Sequence, residues 1–373
     1  MPTSSTAPDA LEPDQVGELS SVIAGDKTLP DPAQPSGSAR RSYLVGAGLL
    51  VAGIALVLVG ALGVQIMVAV RVLLALVGLV PLYKGMQIIC RRRFGARFDL
   101  TFWLCCTWLA VLVAAAIFAP LLPLAEHADT VKTIADPSFA SPELFSAHPL
   151  GTNNFGLDLL SRVIYGARAS LVVAFSAALI GMLVGGSIGV LAGYLRGKVD
   201  TVVGVLTNSL LAVPALILLI ALASVLAPTM RNVALALSVL AIPSMIRLAR
   251  ANTLTFAQRE FVLAARAMGA TRWRVMFREL VPNVVLPVAS LAMVMISVLI
   301  VAESSLSFLG LGIQPPQPTW GNMIAEGEGG VFEKHPHIVL VPGLVLFLTV
   351  FAFNLVGEKA RQRVGSQQEQ VLT

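Results

Sequence analysis

Between two long apolar runs the chain carries REFVLAARAMGATRWRVMFRELVPN, Arg259 to Asn283. Phe261, Ala264, Ala265 and Met268 share one helical face, and Gly269 supplies the stop that a helix C-terminus favours. Thr271 is placed to cap a second helix. In that helix Trp273, Met276, Phe277 and Leu280 recur at i, i+3, i+4 and i+7, while Arg272, Arg274 and Arg278 fall on other faces. Pro282 is expected to end it. Such a basic, amphipathic helix–Gly–helix unit has three physical uses. It can lie on a bilayer surface, pack back on its own bundle, or insert into a groove of a cytoplasmic partner. The residues alone leave these open.

Working outward, the flanking sequence is that of a polytopic membrane protein. Of the 373 residues, 56% are hydrophobic and 13% charged, against about 25% charged in a soluble domain. This excludes a disordered chain, a coiled coil, a nucleic-acid-coating protein and an ordinary soluble enzyme. The net charge of +5 is the excess of Lys and Arg that cytoplasmic loops carry. Apolar runs long enough to cross a bilayer, which takes about 20 residues, lie near 43–63, 66–83, 101–124, 170–194, 202–226, 231–249, 284–302 and 338–357. The second contains Arg71, which can snorkel from a helix end. The expectation is an all-α helical bundle of about eight spans.

Loop charge orients these spans. Arg40 and Arg41 precede the first; Lys84, Arg91, Arg92, Arg93 and Arg97 precede the third. Both clusters are expected inside, so an even number of spans separates them. The segment 125–169 is acidic and expected outside, 250–283 is basic and inside, and 303–337 is acidic and outside. The tail with Lys359, Arg361 and Arg363 ends inside, so both termini are cytoplasmic. Residues 1–42, rich in Pro, Ser, Asp and Glu, read as a disordered tail, without the pattern of a secretory signal. Residues 43–98 form an extra transmembrane hairpin and basic linker, 99–357 a six-span core, and 358–373 a cytoplasmic tail.

Within the core, Gly181, Gly185, Gly189 and Gly193 place a small residue at every fourth position, a flat face for another helix backbone. Gly46, Gly53 and Gly60 repeat every seven residues in the first span and read the same way. Pro214, Pro243 and Pro287 are placed to kink their helices. Cys90, Cys105 and Cys106 lie in or beside apolar runs and read as packing or lipid-facing residues, with neither a disulfide nor a metal spacing. His127, His148, His335 and His337 fall in outer segments; His335-Pro336-His337 reads as solvated loop, so no metal is expected. Glu303 sits at the outer end of a span, where hydration is cheap, and a structural or gate role is expected ahead of substrate contact. Gly193 to Val199 is the nearest approach to a phosphate-cradling Gly-x4-Gly-Lys-Ser/Thr loop, and its spacing and last residue are both wrong. The chain is expected to do no chemistry itself and to hold no cofactor.

Three ordered motifs carry a resemblance. Arg259 to Asn283 resembles the EAA loop of binding-protein-dependent ABC importer permeases: Glu-Ala-Ala, three residues, Gly, nine residues, then Ile-x-Leu-Pro. Ala264, Ala265, Gly269 and Pro282 match, Leu263 stands where the motif has Glu, and Glu260 lies three residues earlier. HPLGTNNFGLDLLSRVIYGARASL (His148–Leu171) resembles a stretch of dipeptide and oligopeptide permeases of the C-subunit type, with Asn153 and Leu157 departing from the pattern and Asp158 kept. SSLSFLGLGIQPPQPTWGNMIAEG (Ser304–Gly327) resembles the same subunits almost throughout. The resemblance covers about residues 100–357; the hairpin and the N-terminal tail fall outside it.

The resemblance implies a six-span type I importer permease core in the cell (inner) membrane. It implies as partners a second homologous permease in a heterodimer, two ABC ATPase subunits that bind the ATP and Mg, an extracellular substrate-binding protein, membrane lipid and a peptide substrate, with no nucleic acid. The loop would be the ATPase-coupling element, through Glu260, Ala264, Ala265, Gly269, Trp273, Arg274, Met276, Phe277, Leu280 and Pro282, with Trp273, Met276, Phe277 and Leu280 as buried anchors. Asp158, Arg162, Glu303 and Trp320 would serve the outer gate or contact the binding protein. Two alternatives remain: a permease of the same family for nickel or another small solute, and a proton-coupled secondary transporter, which would want acids or His deep in its spans. A membrane-anchored regulator built on the first hairpin explains neither the glycine face nor the inner loop.

Overall fold

The computed structural model describes residues 36–62, 68–95, 98–143 and 145–370. The 1–35 part of the expected tail, Arg97 and the side chains of Arg40, Arg41 and Arg71 lie outside what it describes. The chain divides at Leu100 into two compact units. In the first, α1 (Ser36–Leu62) and α2 (Val68–Phe94) form an antiparallel hairpin. Gly46 lies against Ile88, Ile89 and the Gly85 carbonyl, Gly53 against the Leu82 backbone, and Gly78 against Leu56 and Val57.

Among the described residues of the second unit, five helices are long and apolar enough to cross a bilayer: α3 (Leu100–Phe118, extended by a short turn to Leu121), α4 (Leu159–Leu195), α7 (Met230–Phe256), α9 (Arg272–Phe308) and α12 (His337–Gln370, its apolar part before Glu358). Between α4 and α7 lie α5 (Gly197–Ala212) and α6 (Ala215–Val225), apolar together but bent by 91° at Val213–Pro214. The single span expected over 202–226 is therefore broken. Pro214 has no N–H to continue α5 and its backbone is extended, with ψ 127°. Counting the bent pair as one span gives six. Short helices complete the unit: α8 (Glu260–Ala267), α10 (Trp320–Ala325) and α11 (Val331–Lys334).

Hydropathy misplaced several ends because polar residues continue helices past the bilayer. α4 has 37 residues, about 55 Å of helix against a hydrocarbon core of about 30 Å. It starts at Leu159 rather than near 170, capped by Asp158, whose Oδ2 accepts from Ser161 N at 2.8 Å and Ser161 Oγ at 2.7 Å. α9 starts at Arg272 and runs through Pro282 without a stop. That proline sits at the start of a regular stretch after a wide turn over Met276–Leu280, where its missing N–H costs little.

The core lies where α4, α7 and α9 meet, with Ala174, Ala177, Leu237, Ala241, Leu299 and Ile300 all buried. α12 packs on α9, and Trp108 of α3 donates through Nε1 to Thr349 Oγ1 of α12 at 3.2 Å. The four glycines of α4 lie against α7. A Cβ on Gly181 would stand 2.7 Å from Ala241 Cβ; on Gly185, 2.7 Å from the Ile242 carbonyl; on Gly189, 2.6 Å from the Ile246 carbonyl; on Gly193, 2.8 Å from the Arg250 carbonyl. Real side chains do not tolerate such distances, so the register holds only with glycine. Gly185→Leu is expected to destabilise the subunit by about 1–3 kcal/mol or more, read as a lower thermal midpoint in detergent. Gly204→Ala, where nothing lies within 4 Å, should leave that midpoint unchanged.

Candidate functional site

The loop between α7 and α9 is compact. Phe256 ends α7, and Glu260 opens α8, where an acid suits the helix N-terminus. Ala270 N donates to Ala265 O and Gly269 N to Arg266 O, both at 3.0 Å, the paired bonds of a Schellman turn. The turn holds Gly269 at φ +82°, which a side chain resists. Thr271 Oγ1 accepts from Arg274 N at 3.4 Å and starts α9.

Burial divides the sequence-derived residues into two sets. Val262, Ala265, Val275 and Leu280 form a small core with Ala257, packed by Tyr194 and Phe256. Met276 joins Met245, Ala249, Val284 and Val288. So Met276 and Leu280, expected as anchors for a partner, are instead buried in their own subunit, at 2% and 0% exposure. The cause is the wide turn over Met276–Leu280, which breaks the 3.6-residue period and turns these two side chains inward. The exposed set holds Phe261, Ala264, Met268, Trp273, Arg274 and Phe277, with Glu260 and Pro282 also exposed. Met268 is 82% exposed, and Trp273 and Phe277 stack with ring centroids 6.0 Å apart. Leu263, at the place of the motif Glu, is also exposed.

Just before the loop, α7 is tied to α5 by polar contacts that sequence reading did not anticipate. Arg250 of α7 is bidentate on Asp200 of α5, Nε to Oδ1 and Nη2 to Oδ2, the latter at 2.7 Å. Arg247 Nη2 donates to Asn208 at 3.3 Å. These arginines read as loop charge; they lie on α7 and hold the first limb of the broken span. An i, i+3 pattern of Arg247 and Arg250 on a continued helix was the available signal.

The outer residues form a buried clasp. Arg162 pairs with Glu326, and Asn153 Nδ2 donates to Glu326 Oε2 at 3.1 Å. Trp320, wholly buried, donates through Nε1 to the Val163 carbonyl at 3.1 Å. Asp158, 2% exposed, caps α4 and meets His148 Nδ1 at 3.1 Å. Burial corrects the expectation that Asp158, Arg162 and Trp320 offer a contact surface: all three are spent on joining α4 to the 145–158 loop and α10. Glu303 is likewise not at a hydrated edge. It is 0% exposed, with Ser170 Oγ and Ser307 Oγ each donating at 2.7 Å. Nor is the His335–His337 segment simple solvated loop: His335 stacks on Phe139 at 4.4 Å, and both rings are partly buried.

Two carboxylates of this outer region are displaced from ordinary behaviour. Burial pushes the Glu326 carboxyl up, opposed by Arg162 and Asn153. Glu126 also feels burial, but the N–H groups of Asp129, Ala128 and His127 together with the Lys132 ammonium bring it down to about 2. Its Oε1 accepts from all three N–H groups at 3.1–3.3 Å.

Residues 185–365 match the family described as binding-protein-dependent transport system inner membrane component. A glutathione transport system permease protein of Pectobacterium atrosepticum is 39% identical over 216 residues, 58% of this chain and 71% of that one. A dipeptide transport system permease protein of Alkalihalophilus pseudofirmus is 34% identical over 246 residues, 66% of this chain and 79% of that one. Among solved structures, an inward-facing conformation of the MetNI methionine ABC transporter aligns with 55% of this chain and 97% of its own, at 20% identity and a TM-score of 0.47.

Removing one partner of the buried clasp leaves the other charge uncompensated, at a cost of about 3–5 kcal/mol. Arg162→Met and Glu326→Leu are each expected to lower the thermal midpoint in detergent sharply. The double variant should recover part of the loss, and additive losses would show that the two side chains act independently.

Proposed function

The chain belongs to the family of binding-protein-dependent transport system inner membrane components, and from that premise we propose that it is one of two permease subunits of an ATP-driven importer for short peptides. The family description makes the chain a transport component of the inner membrane working with a binding protein. The peptide substrate is inferred from the relatives, which are named for glutathione and dipeptide transport. In this reading the second permease and two ATPases complete the complex, ATP and Mg reside on the ATPases, and both termini of this chain are cytoplasmic.

The observation that carries the coupling role is the exposed apolar stripe on α8. Phe261 and Ala264 of α8 and Met268 just after it face outward at i, i+3 and i+7, beside the face that Val262 and Ala265 bury. Phe261 and Met268, at 38% and 82% exposure, put apolar surface side by side on a basic loop, and contiguous apolar patches of that kind mark contact sites. An ATPase groove would take this stripe as a short amphipathic helix, with Glu260 and Arg274 at its rim to set register. Gly269 joins α8 to α9 with no flexible linker between. A displacement of α8 would then pass directly into a span whose other end is held by Glu303.

The test is copurification from native membranes in mild detergent. Met268→Asp is expected to remove the ATPase subunits while the chain stays in the membrane with the second permease, and to abolish peptide uptake. If Trp273→Asp removes the ATPases and Met268→Asp does not, the contact lies at the start of α9 instead of on α8. Gly269→Ala, which forces a side chain to φ +82°, should cost about 1–2 kcal/mol and reduce uptake at an unchanged level of chain in the membrane.

A further inference from the structure

At the inner end of α4 a cleft of about 680 Å³ lies between Tyr194 and Arg196 on one side and Gln258, Arg266 and Arg272 on the other. Three of its lining side chains are guanidinium groups and none is a carboxylate. Among the described residues no ion pair involves Arg196, Arg266 or Arg272. Asp200, which feels the charge of Arg196, is already bidentate on Arg250. Arg266 lies over the Tyr194 ring, 5.4 Å from its centroid. That stacking orders the planar head without neutralising it. Arg196 has φ +56° and ψ −163°, a region that is otherwise almost exclusive to glycine. The chain accepts this strain at the point where it places a cation on the cleft wall.

Apart from Gln258 and the Tyr194 ring, the rest of the wall is aliphatic and includes Leu195, the last residue of the span α4, and Leu263. A cation-rich, half-apolar cleft at the end of a span is the chemistry of a phosphate headgroup site, with guanidinium forks for the phosphate oxygens and aliphatic surface for the glycerol. We propose that this cleft binds the phosphate of an anionic lipid headgroup at the inner membrane surface. The assignment of that side to the cytoplasm rests on the permease reading above. The outward residues of α8, Phe261, Ala264 and Met268, do not line the cleft, so lipid and ATPase can be held together. A bound headgroup would bridge the end of α4 to both limbs of the coupling loop, through Arg196, Arg266 and Arg272.

The experiment uses the whole complex, purified with its partners and reconstituted in nanodiscs of phosphatidylcholine with a minor fraction of phosphatidylglycerol. Native mass spectrometry of the released complex then counts retained phosphatidylglycerol. Wild type is expected to retain it, and each of Arg196→Gln, Arg266→Gln and Arg272→Gln to weaken retention about fivefold. Tyr194→Leu, which removes the ring under Arg266 and no charge, should weaken it as well. Millimolar inorganic phosphate is added in a parallel arm. If it displaces the lipid fully, the cleft takes a free anion in place of a headgroup and the lipid assignment falls. Equal retention by wild type and the triple Gln variant, with ATPases still bound, overturns the proposal and leaves the permease reading standing. Loss of ATPases from the triple variant with lipid retained also overturns it, because the cleft is then an ATPase surface. Absence of ATPases from the wild-type preparation is instead a failure of the permease reading.

Discussion

The close approach of α4 to α7 is the contact from which the rest of the second unit takes its register. In a bilayer the surrounding lipid is as apolar as the helices, so association rests on packing and on interhelical polar bonds. Four glycines at four-residue spacing let the α7 backbone lie where side chains would otherwise stand. That close seam fixes the height of α7 against α4. It thereby fixes where Arg250 emerges to hold Asp200, and where Ala257 enters the small core under α8. A slip by one residue along the seam would set Val190 and Tyr194, or Val184 and Ile188, against carbonyls of α7 and carry the loop after α7 with it.

Polar clasps lock the two ends of this packed centre. At one end, Arg162, Glu326 and Asn153 join the overhanging start of α4 to the segment after α10, and Glu303 collects the hydroxyls of Ser170 and Ser307. At the other end, the Arg250–Asp200 pair restrains the first limb of the broken span. A buried pair such as Arg162–Glu326 is weak evidence for stability but favours one arrangement over others, while the Arg250–Asp200 pair is half-exposed. Between the clasps, two wide helical turns, Gly181–Gly185 and Met276–Leu280, flank one apolar cleft lined by Met182, Leu183, Trp273 and Phe277. Such turns recur at functional sites because they rotate side chains without ending the helix.

Much of this was legible along the chain because its causes are local. Hydropathy located α3, α4, α7, α9 and α12, since a bilayer demands long apolar runs. The four-residue glycine period exposed the seam on α4. Gly269 and Thr271 announced the turn between α8 and α9, because a left-handed residue and a cap are single-residue requirements. The helix ends were less legible: Asp158 and Arg162 continue α4 as helix through residues whose polarity resembles loop.

What the sequence by itself determined is membrane class, the glycine seam and the helix–Gly–helix loop, each set by short-range periodicity or by one backbone conformation. Only the tertiary structure decided which side chains of those elements are free. Met276 and Leu280 share a helical face with Trp273 and Phe277 in the sequence, yet the first two are buried and the last two exposed. The 91° break at Pro214 and the burial of Glu303, Arg162 and Trp320 were settled the same way. The physical reason is common to all of them. Burial and pairing depend on partners tens to hundreds of residues away, such as Arg162 with Glu326, and no local pattern records where those partners will stand.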